Sequence, residues 1–188
     1  MTEKIKIDFE KAIKASDLSE NDVNLKKKFL NNFITKGFPS KKIENWKFLD
    51  INQIIKKDIG ELSFFNDYSP LNKVDESFFV KDLEHNKIVF INGKVERINF
   101  DYEDQNKIEI NESSKLKDKY KNSNSLIDLN NAFINKICKI LVKKDYSLKK
   151  PLIIYHLTNN EIKSKNINLR LQFQLEQNSS LRLIDFFN

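Results

Sequence analysis

Residues 169–176, LRLQFQLE, alternate strictly between apolar and polar side chains. The apolar members are Leu169, Leu171, Phe173 and Leu175, and the polar members are Arg170, Gln172, Gln174 and Glu176. Because successive side chains of a β-strand point to opposite faces of the sheet, this period predicts a strand with one buried face and one solvent-facing side. The C-terminal part of the chain is therefore expected to be β-structure.

Three further apolar segments flank this strand and are also predicted to be strands. They are CKILV (138–142), PLIIYHL (151–157) and LRLIDFF (181–187), and the central strand is predicted over 167–176. The four segments begin about 13 to 16 residues apart, which suits a meandering sandwich or the coils of a parallel β-helix. The spacing alone leaves both architectures open.

The last predicted strand, LRLIDFF, is apolar and is followed by a single residue. Natural proteins usually cover the edge of a sheet and cap the end of a stacked core, because an exposed strand edge can pair with other chains. We therefore expect that the sequence is a truncated, N-terminal piece of a longer protein, or that a partner covers this edge.

The beginning of the chain is predicted to be helical. Residues 9–13 and 25–34 each place apolar side chains three and four positions apart, which indicates two amphipathic helices. Ser19 or Asp22 is expected to cap the second helix, because short polar side chains accept hydrogen bonds from the first free N–H groups.

The second helix has a clear predicted end. It should stop at Lys36, because Gly37 can adopt the left-handed cap conformation and Pro39 cannot continue a helix. A short helix is expected to follow, and Trp46, the one tryptophan of the chain, is interpreted as a buried anchor for it.

The middle of the chain is predicted to contain a β-hairpin, a polar loop and a further helix. Residues 88–100, IVFINGKVERINF, predict a β-hairpin, because Asn92 and Gly93 both tolerate the positive φ of a type I′ turn. Residues 111–125 are polar and rich in lysine, which indicates a solvated loop. Residues 126–137 return to helical spacing.

Composition narrows the classes of function. The 188-residue chain has a net charge of +6, but only three of its 33 basic residues are arginines. Arginine is the usual residue for bidentate phosphate contacts, so we expect no nucleic-acid binding. With no apolar run of about 18 residues and no secretion signal, we expect no membrane insertion and a cytoplasmic location.

Residues that could carry chemistry are few. Cys138 is expected to be a small buried apolar group, His85 an exposed turn residue and His156 a satisfied histidine at a strand end. Three carboxylates, Asp101, Glu103 and Asp104, follow the hairpin, but loop spacing does not fix the geometry that acid–base catalysis requires. We therefore predict no catalytic, cofactor-binding or metal-binding residue.

Four motifs resemble the SufB/SufD family, and specifically its SufD branch. The first, residues 37–51, has a Gly-x-Pro, basic residues, an acidic residue and Trp-Lys-Phe in the family's order. The hairpin IVFINGKV (88–95), the helix LIDLNNAFIN (126–135) and the strand PLIIYHL (151–157) resemble the family motifs that follow. In the first motif, the residues that match the family are Gly37, Pro39, Lys41, Lys42, Glu44, Trp46, Lys47 and Phe48. In the helix motif, the matching residues are Leu129, Asn130, Ala132 and Phe133.

The resemblance implies an α+β fold in which an N-terminal helical domain leads into the first coils of a right-handed parallel β-helix. The expected domains are 1–85, helical; 86–125, hairpin and polar linker; and 126–188, the start of the β-helix. The implied role is a non-catalytic scaffold subunit of the SUF iron–sulfur cluster assembly complex, with a SufB paralogue and the SufC ATPase as partners. The cluster would belong to the assembled complex, and no cofactor is expected on this chain.

Two other classes of function remain open from the residues. The chain could be a stand-alone β-rich binding module that contacts acidic partners through its lysines, in which case binding to polyanions should fall as salt is raised. It could also be an enzyme on a β-helix scaffold, like polysaccharide lyases. Those enzymes use clustered charged residues on an exposed face, and the sequence shows no such cluster.

Overall fold

The computed structural model describes residues 1–65, 75–116, 124–158 and 162–187. In these ranges the chain has a mixed α+β fold with helices and two β-sheets. Contacts group the chain into a helical unit, residues 1–67, 114–135 and 163–168, and a sheet unit, residues 68–113, 136–162 and 169–188. Neither unit is one consecutive stretch, and the predicted domains 1–85, 86–125 and 126–188 stay a prediction.

The helical unit contains α1 (Thr2–Lys14), α2 (Glu20–Lys36), α3 (Ile51–Ile54) and α4 (Ser125–Phe133). A 3-10 turn, Glu44–Trp46, precedes α3, which continues into a π-helical turn, Ile55–Ile59. The core joins apolar side chains of α1, α2 and α4 to Phe64; its buried members are Ile5, Phe9, Phe29, Leu30, Phe33, Phe64, Leu129, Ala132 and Phe133. Within the described ranges, no helix is both long and apolar enough to cross a membrane.

Both ends of α2 follow from local side-chain chemistry, as predicted. Ser19, rather than Asp22, is the N-cap residue, and its hydroxyl accepts a hydrogen bond from the Asp22 N–H at 3.2 Å. The helix ends at Lys36, and Gly37 has a φ of 69°, which few residues other than glycine adopt without strain. The predicted stop is confirmed.

The expectation that Trp46 is a core anchor is wrong. Trp46 is half-buried in the 3-10 turn and belongs to none of the core clusters of the described residues. Phe38 instead packs edge-on against Phe33 of α2, with ring centroids 5.0 Å apart. Because Phe38 follows the helix end directly, its ring reaches the helical core first, and the later turn remains at the surface.

The sheet unit contains two sheets. The first has the strand order β2-β1-β5-β7, with β1 (Asn86–Ile91), β2 (Lys94–Asn99), β5 (Leu152–Leu157) and β7 (Leu183–Phe187). The second has the order β3-β4-β6, with β3 (Ile108–Ser113), β4 (Ile137–Val142) and β6 (Arg170–Leu175). All four strands predicted in the C-terminal part of the chain are therefore present.

The strand pairing combines hairpin and parallel connections. β1 and β2 form the predicted hairpin, and Asn92 and Gly93 at its turn have φ values of 50° and 81°. β5 pairs in parallel with β1 on one side and with β7 on the other. β4 pairs antiparallel with β3 and parallel with β6. The strands β4 to β7 therefore do not form an antiparallel meander.

The two parallel pairs of the C-terminal part have closely similar sequence offsets. Ile137 lies opposite Arg170 and Val142 lies opposite Leu175. The number of residues between paired positions is therefore the same along the whole of β4 and β6. The bridge between Ser147 and Ser180 keeps this same offset. The offset between β5 and β7, where Leu152 lies opposite Leu183, is only slightly shorter. The chain thus passes from the second sheet to the first twice, with matching spacing.

The inner faces of the two sheets share one core. It contains Ile88, Phe90 and Ile154 from the first sheet and Cys138, Ile140 and Val142 from the second, together with Phe100, Ile108, Leu148 and Leu152. A smaller cluster lies on the opposite face of the first sheet, around the buried Tyr155. Since every second residue of β4 enters the shared core, the period-two pattern does locate its buried face.

The prediction of a polar loop over residues 111–125 is wrong for its first three residues. Residues 111–113 are the end of β3, and Glu112 and Ser113 lie opposite Cys138 and Ile137 of β4. Pairing with the buried strand β4 outweighs the low strand propensity of Asn and Glu, because strand formation depends mainly on neighbouring strands. Residues 117–123 of the predicted loop lie outside the described residues.

Candidate functional site

Cys138 is a core residue of β4, as predicted. It is buried among the apolar side chains between the sheets, and Glu112 lies opposite it on β3. Burial, with a smaller contribution from the Glu112 charge, raises the pKa of the Cys138 thiol to about 11. Because the thiolate is the form that attacks electrophiles and binds metals, the protonated Cys138 has little of either reactivity near neutral pH.

His85 is buried, so the expectation of an exposed turn residue is wrong. Its Nδ1 lies 2.6 Å from the Leu83 carbonyl oxygen and its Nε2 lies 2.8 Å from the Tyr155 hydroxyl. That hydroxyl also accepts the Val80 N–H at 3.1 Å, and because a carbonyl oxygen can only accept, Nδ1–H donates to Leu83. Both ring nitrogens therefore have a hydrogen-bond partner, and His85 serves as a structural link.

His156 is a satisfied histidine near the end of β5, as predicted. Its ring stacks between Phe90 of β1 and Phe187 of β7, with centroid distances of 5.6 and 4.4 Å. The stack follows from the parallel register, which places these three residues side by side on adjacent strands. Its Nε2 lies 3.3 Å from an Asp185 carboxylate oxygen.

The three carboxylates after the hairpin have separate structural roles. Asp101 accepts a hydrogen bond from the Asn99 side-chain amide, and Asp104 accepts one from the Asn106 N–H. Glu103 alone is buried. The arrangement does not bring two of these carboxylates together as an acid–base pair.

Glu103 is the centre of a hydrogen-bond network. Its carboxylate accepts bonds from the Asn86 amide at 2.8 Å and the Tyr146 hydroxyl at 2.7 Å. It also accepts the N–H groups of Lys149 and Lys150 at 3.0 and 3.1 Å. Burial acts to raise the pKa of Glu103, but together these hydrogen bonds hold it below its usual value. The network ties the segment after β2 to the segment between β4 and β5.

No group of three or more His, Cys, Asp or Glu residues in the described ranges is placed to hold a metal ion. No protein-family model and no curated protein matches the chain. The likeness to the SufB/SufD family therefore rests on the four sequence motifs, and the function it implies remains a proposal.

The most conspicuous surface of the sheet unit is a pair of adjacent strand edges. In the described part of the chain, β7 is the outermost strand of the first sheet and β6 is an outermost strand of the second. Large apolar side chains on these strands remain exposed: Leu175, Leu183, Ile184 and Phe187, the last at 73%. We call this surface the open edge. Exposed strand edges with apolar side chains are ready sites for association with further β-structure.

Proposed function

We propose that this chain acts as a SufD-like, non-catalytic scaffold subunit of the SUF iron–sulfur cluster assembly complex. Its proposed partners are a SufB paralogue and the SufC ATPase, and its proposed location is the cytoplasm. The observation that carries the proposal is the parallel pairing of β4 with β6 and of β5 with β7, which is the strand arrangement expected of this family.

The repeating offsets support a parallel β-helix as the finer description of the sheet unit. In that description β4 and β5 form one coil and β6 and β7 form the next, stacked at nearly equal sequence offsets. The Ser147–Ser180 bridge joins the turns of successive coils. We propose a right-handed coil, because parallel crossover connections are right-handed in about 98% of cases.

The open edge suggests how such a scaffold would associate. Along β7, backbone N–H and C=O groups face outward beside exposed apolar side chains, including Phe187. A partner strand would satisfy these groups and cover the apolar surface at the same time. We propose that further β-structure covers the open edge, supplied by a continuation of the chain or by a partner such as the SufB paralogue.

The iron–sulfur cluster is the cargo of the assembled complex in this proposal. Cys138 is not proposed as a ligand, because its burial keeps the thiol protonated. The chain would supply a surface for its partners, and the ATPase chemistry would belong to SufC.

Co-purification tests the proposal directly. The tagged 188-residue chain, co-expressed with the SufB paralogue and SufC of its source organism, should retain both proteins on an affinity column. Phe187→Asp should lower the recovery of the SufB paralogue, because a charge would then lie on the open edge. Ile7→Asp is a matched control, since Ile7 is also an exposed apolar residue, at 56%, and lies in the helical unit outside the family motifs. If the unsubstituted chain retains neither protein, the proposal is wrong.

A further inference from the structure

The outer face of the second sheet carries a cavity of about 150 Å³. Side chains from all three strands line it: Glu109 and Asn111 of β3, Lys139 and Leu141 of β4, and Gln172 and Gln174 of β6. We call this cavity the polar groove. The strand register arranges its residues in two rows, Asn111–Lys139–Gln172 and Glu109–Leu141–Gln174.

The two charged side chains that line the polar groove, Glu109 and Lys139, differ in their partners. Glu109 pairs with Lys143, with 2.9 Å between nitrogen and oxygen. Lys139 is half-buried, and among the described residues no carboxylate lies within ion-pair distance of its ammonium group. The groove therefore presents one cation whose charge no described neighbour neutralises, at the middle strand of the sheet.

The amide side chains around this cation are also available. In the described ranges, the carboxamides of Asn111, Gln172 and Gln174 have no hydrogen-bond partner. Each carboxamide offers both donors and an acceptor, so the three can bond to a peptide backbone or to a carboxylate. None of the side chains lining the groove is aromatic or arginine, which disfavours stacked bases and bidentate phosphate binding.

The size of the polar groove limits its ligand. Pockets for whole small molecules usually measure about 300–1,000 Å³. A cavity of about 150 Å³ accommodates a group the size of benzene, with about six non-hydrogen atoms. A glutamate or aspartate side chain fits this limit, and a free cofactor does not.

We propose that the polar groove binds the carboxylate side chain of an acidic, extended segment of a partner protein. The carboxylate pairs with Lys139, and the amides of Gln172, Gln174 and Asn111 bond to the carboxylate and the adjoining backbone. The negative charge of the ligand complements the Lys139 ammonium group, while Glu109 is paired with Lys143. This inference goes beyond the proposed scaffold role and does not depend on it, because polar side chains on the outer sheet face form the groove, although the groove shares strand β6 with the open edge.

A titration with a defined peptide tests the inference. The probe is a capped pentapeptide with one central glutamate between valine and threonine residues, and the matched probe has glutamine at the centre. On addition of the glutamate peptide to the folded chain, the side-chain amide NMR signals of Gln172 and Gln174 should shift. The glutamine peptide should bind about tenfold more weakly or worse, since a charge-assisted bond is lost.

Two substitutions and a control locate the binding. Lys139→Gln should weaken binding of the glutamate peptide by about tenfold or more, whereas Lys144→Gln, an exposed lysine outside the groove, should not change it. Gln172→Glu places a carboxylate next to Lys139 and should abolish binding without removing the cation. Equal binding by Lys139→Gln and Lys144→Gln would overturn the inference. Tighter binding of a phosphoserine peptide or of single-stranded RNA would overturn the assignment of an acidic peptide.

Discussion

Among single residues, the buried side chains of Glu103 and Lys26 each join segments that are far apart in the chain. No local sequence pattern predicts these contacts. Glu103 joins segments that are far apart in the chain through hydrogen bonds to Tyr146 and to the backbone of Lys149 and Lys150. Lys26 of α2 donates to the carbonyl oxygens of Ala132 and Ile134 at the end of α4. Both contacts are non-local, so the sequence places these residues among ordinary surface charges.

Substitution of Glu103 should reveal a carboxylate that stabilises the fold. Glu103→Gln keeps the shape but leaves some of the four donors without an acceptor, so we expect a loss of about 1–3 kcal/mol in the free energy of unfolding at pH 7. Because the folded-state pKa is lowered, this stability is present above the unfolded-state pKa and is lost as the pH falls through the folded-state pKa. Urea unfolding from pH 7 to pH 3 measures both effects.

The exposed Glu96 of β2 provides the matched control. Glu96→Gln should leave the free energy of unfolding and its dependence on acid nearly unchanged. An equal loss in the two variants would show that the Glu103 network does not stabilise the fold.

Lys26 should make stability depend on alkaline pH. Burial lowers its pKa from 10.5 to about 8, against a smaller raising effect of Asp22. Between about pH 8 and 10.5 the unfolded chain therefore holds a proton on this lysine that the folded chain has released, and the free energy of unfolding rises with pH. This lowering of the Lys26 pKa corresponds to a rise of about 3 kcal/mol in the free energy of unfolding across this pH range.

Lys26→Met removes the titrating group, so its unfolding free energy should lack this rise. The exposed neighbour Lys27 gives the control, because Lys27→Met should keep the pH dependence of the unsubstituted chain. If all three proteins show the same alkaline profile, Lys26 does not titrate as its burial requires.

Among the secondary-structure elements, the sequence predicts those that are set by capping residues, turn residues or the spacing of apolar side chains. Ser19 and Gly37 fix the ends of α2 by themselves, and Asn92-Gly93 fixes the hairpin turn. The sequence does not reveal strand β3, because its polar residues form a strand only when paired with β4. Nor does it reveal the parallel register of β4 with β6, because pairing partners depend on contacts far apart in the chain.

The helical core gives an element-scale prediction. Phe33 of α2 is 3% exposed and packs in the core, whereas Trp46 is half-buried in a 3-10 turn. We expect Phe33→Ala to cost about 3–5 kcal/mol of unfolding free energy, as for other large buried side chains. Trp46→Ala should cost less than half as much, because the Trp46 side chain is only half-buried and belongs to no core cluster of the described residues. Thermal or urea unfolding compares them, and a larger loss for Trp46→Ala would contradict the assigned packing.

For the whole molecule, the proposed scaffold role depends on the proposal that two coils of the chain stack in parallel. The alternation of side chains predicts β-structure in this region, and the spacing of the strands is compatible with both a sandwich and a β-helix. Parallel pairing of β4 with β6 and of β5 with β7, at nearly equal offsets, favours the stacked coils. The proposed scaffold role, and the open edge as its partner surface, both rest on this arrangement.

The most direct test of the proposed stacked coils is a disulfide between the segments that follow β4 and precede β7. Ser147 and Ser180 form a parallel bridge, and their hydroxyl oxygens are 2.7 Å apart. In a Cys138→Ser background, Ser147→Cys combined with Ser180→Cys should therefore oxidise rapidly to an intrachain disulfide, seen by mass spectrometry of a linked peptide pair. Ser147→Cys combined with a cysteine at exposed Ser77 should not. Failure of the 147–180 pair to form a disulfide in the folded, monomeric chain would contradict the parallel stacking and, with it, the proposed scaffold role.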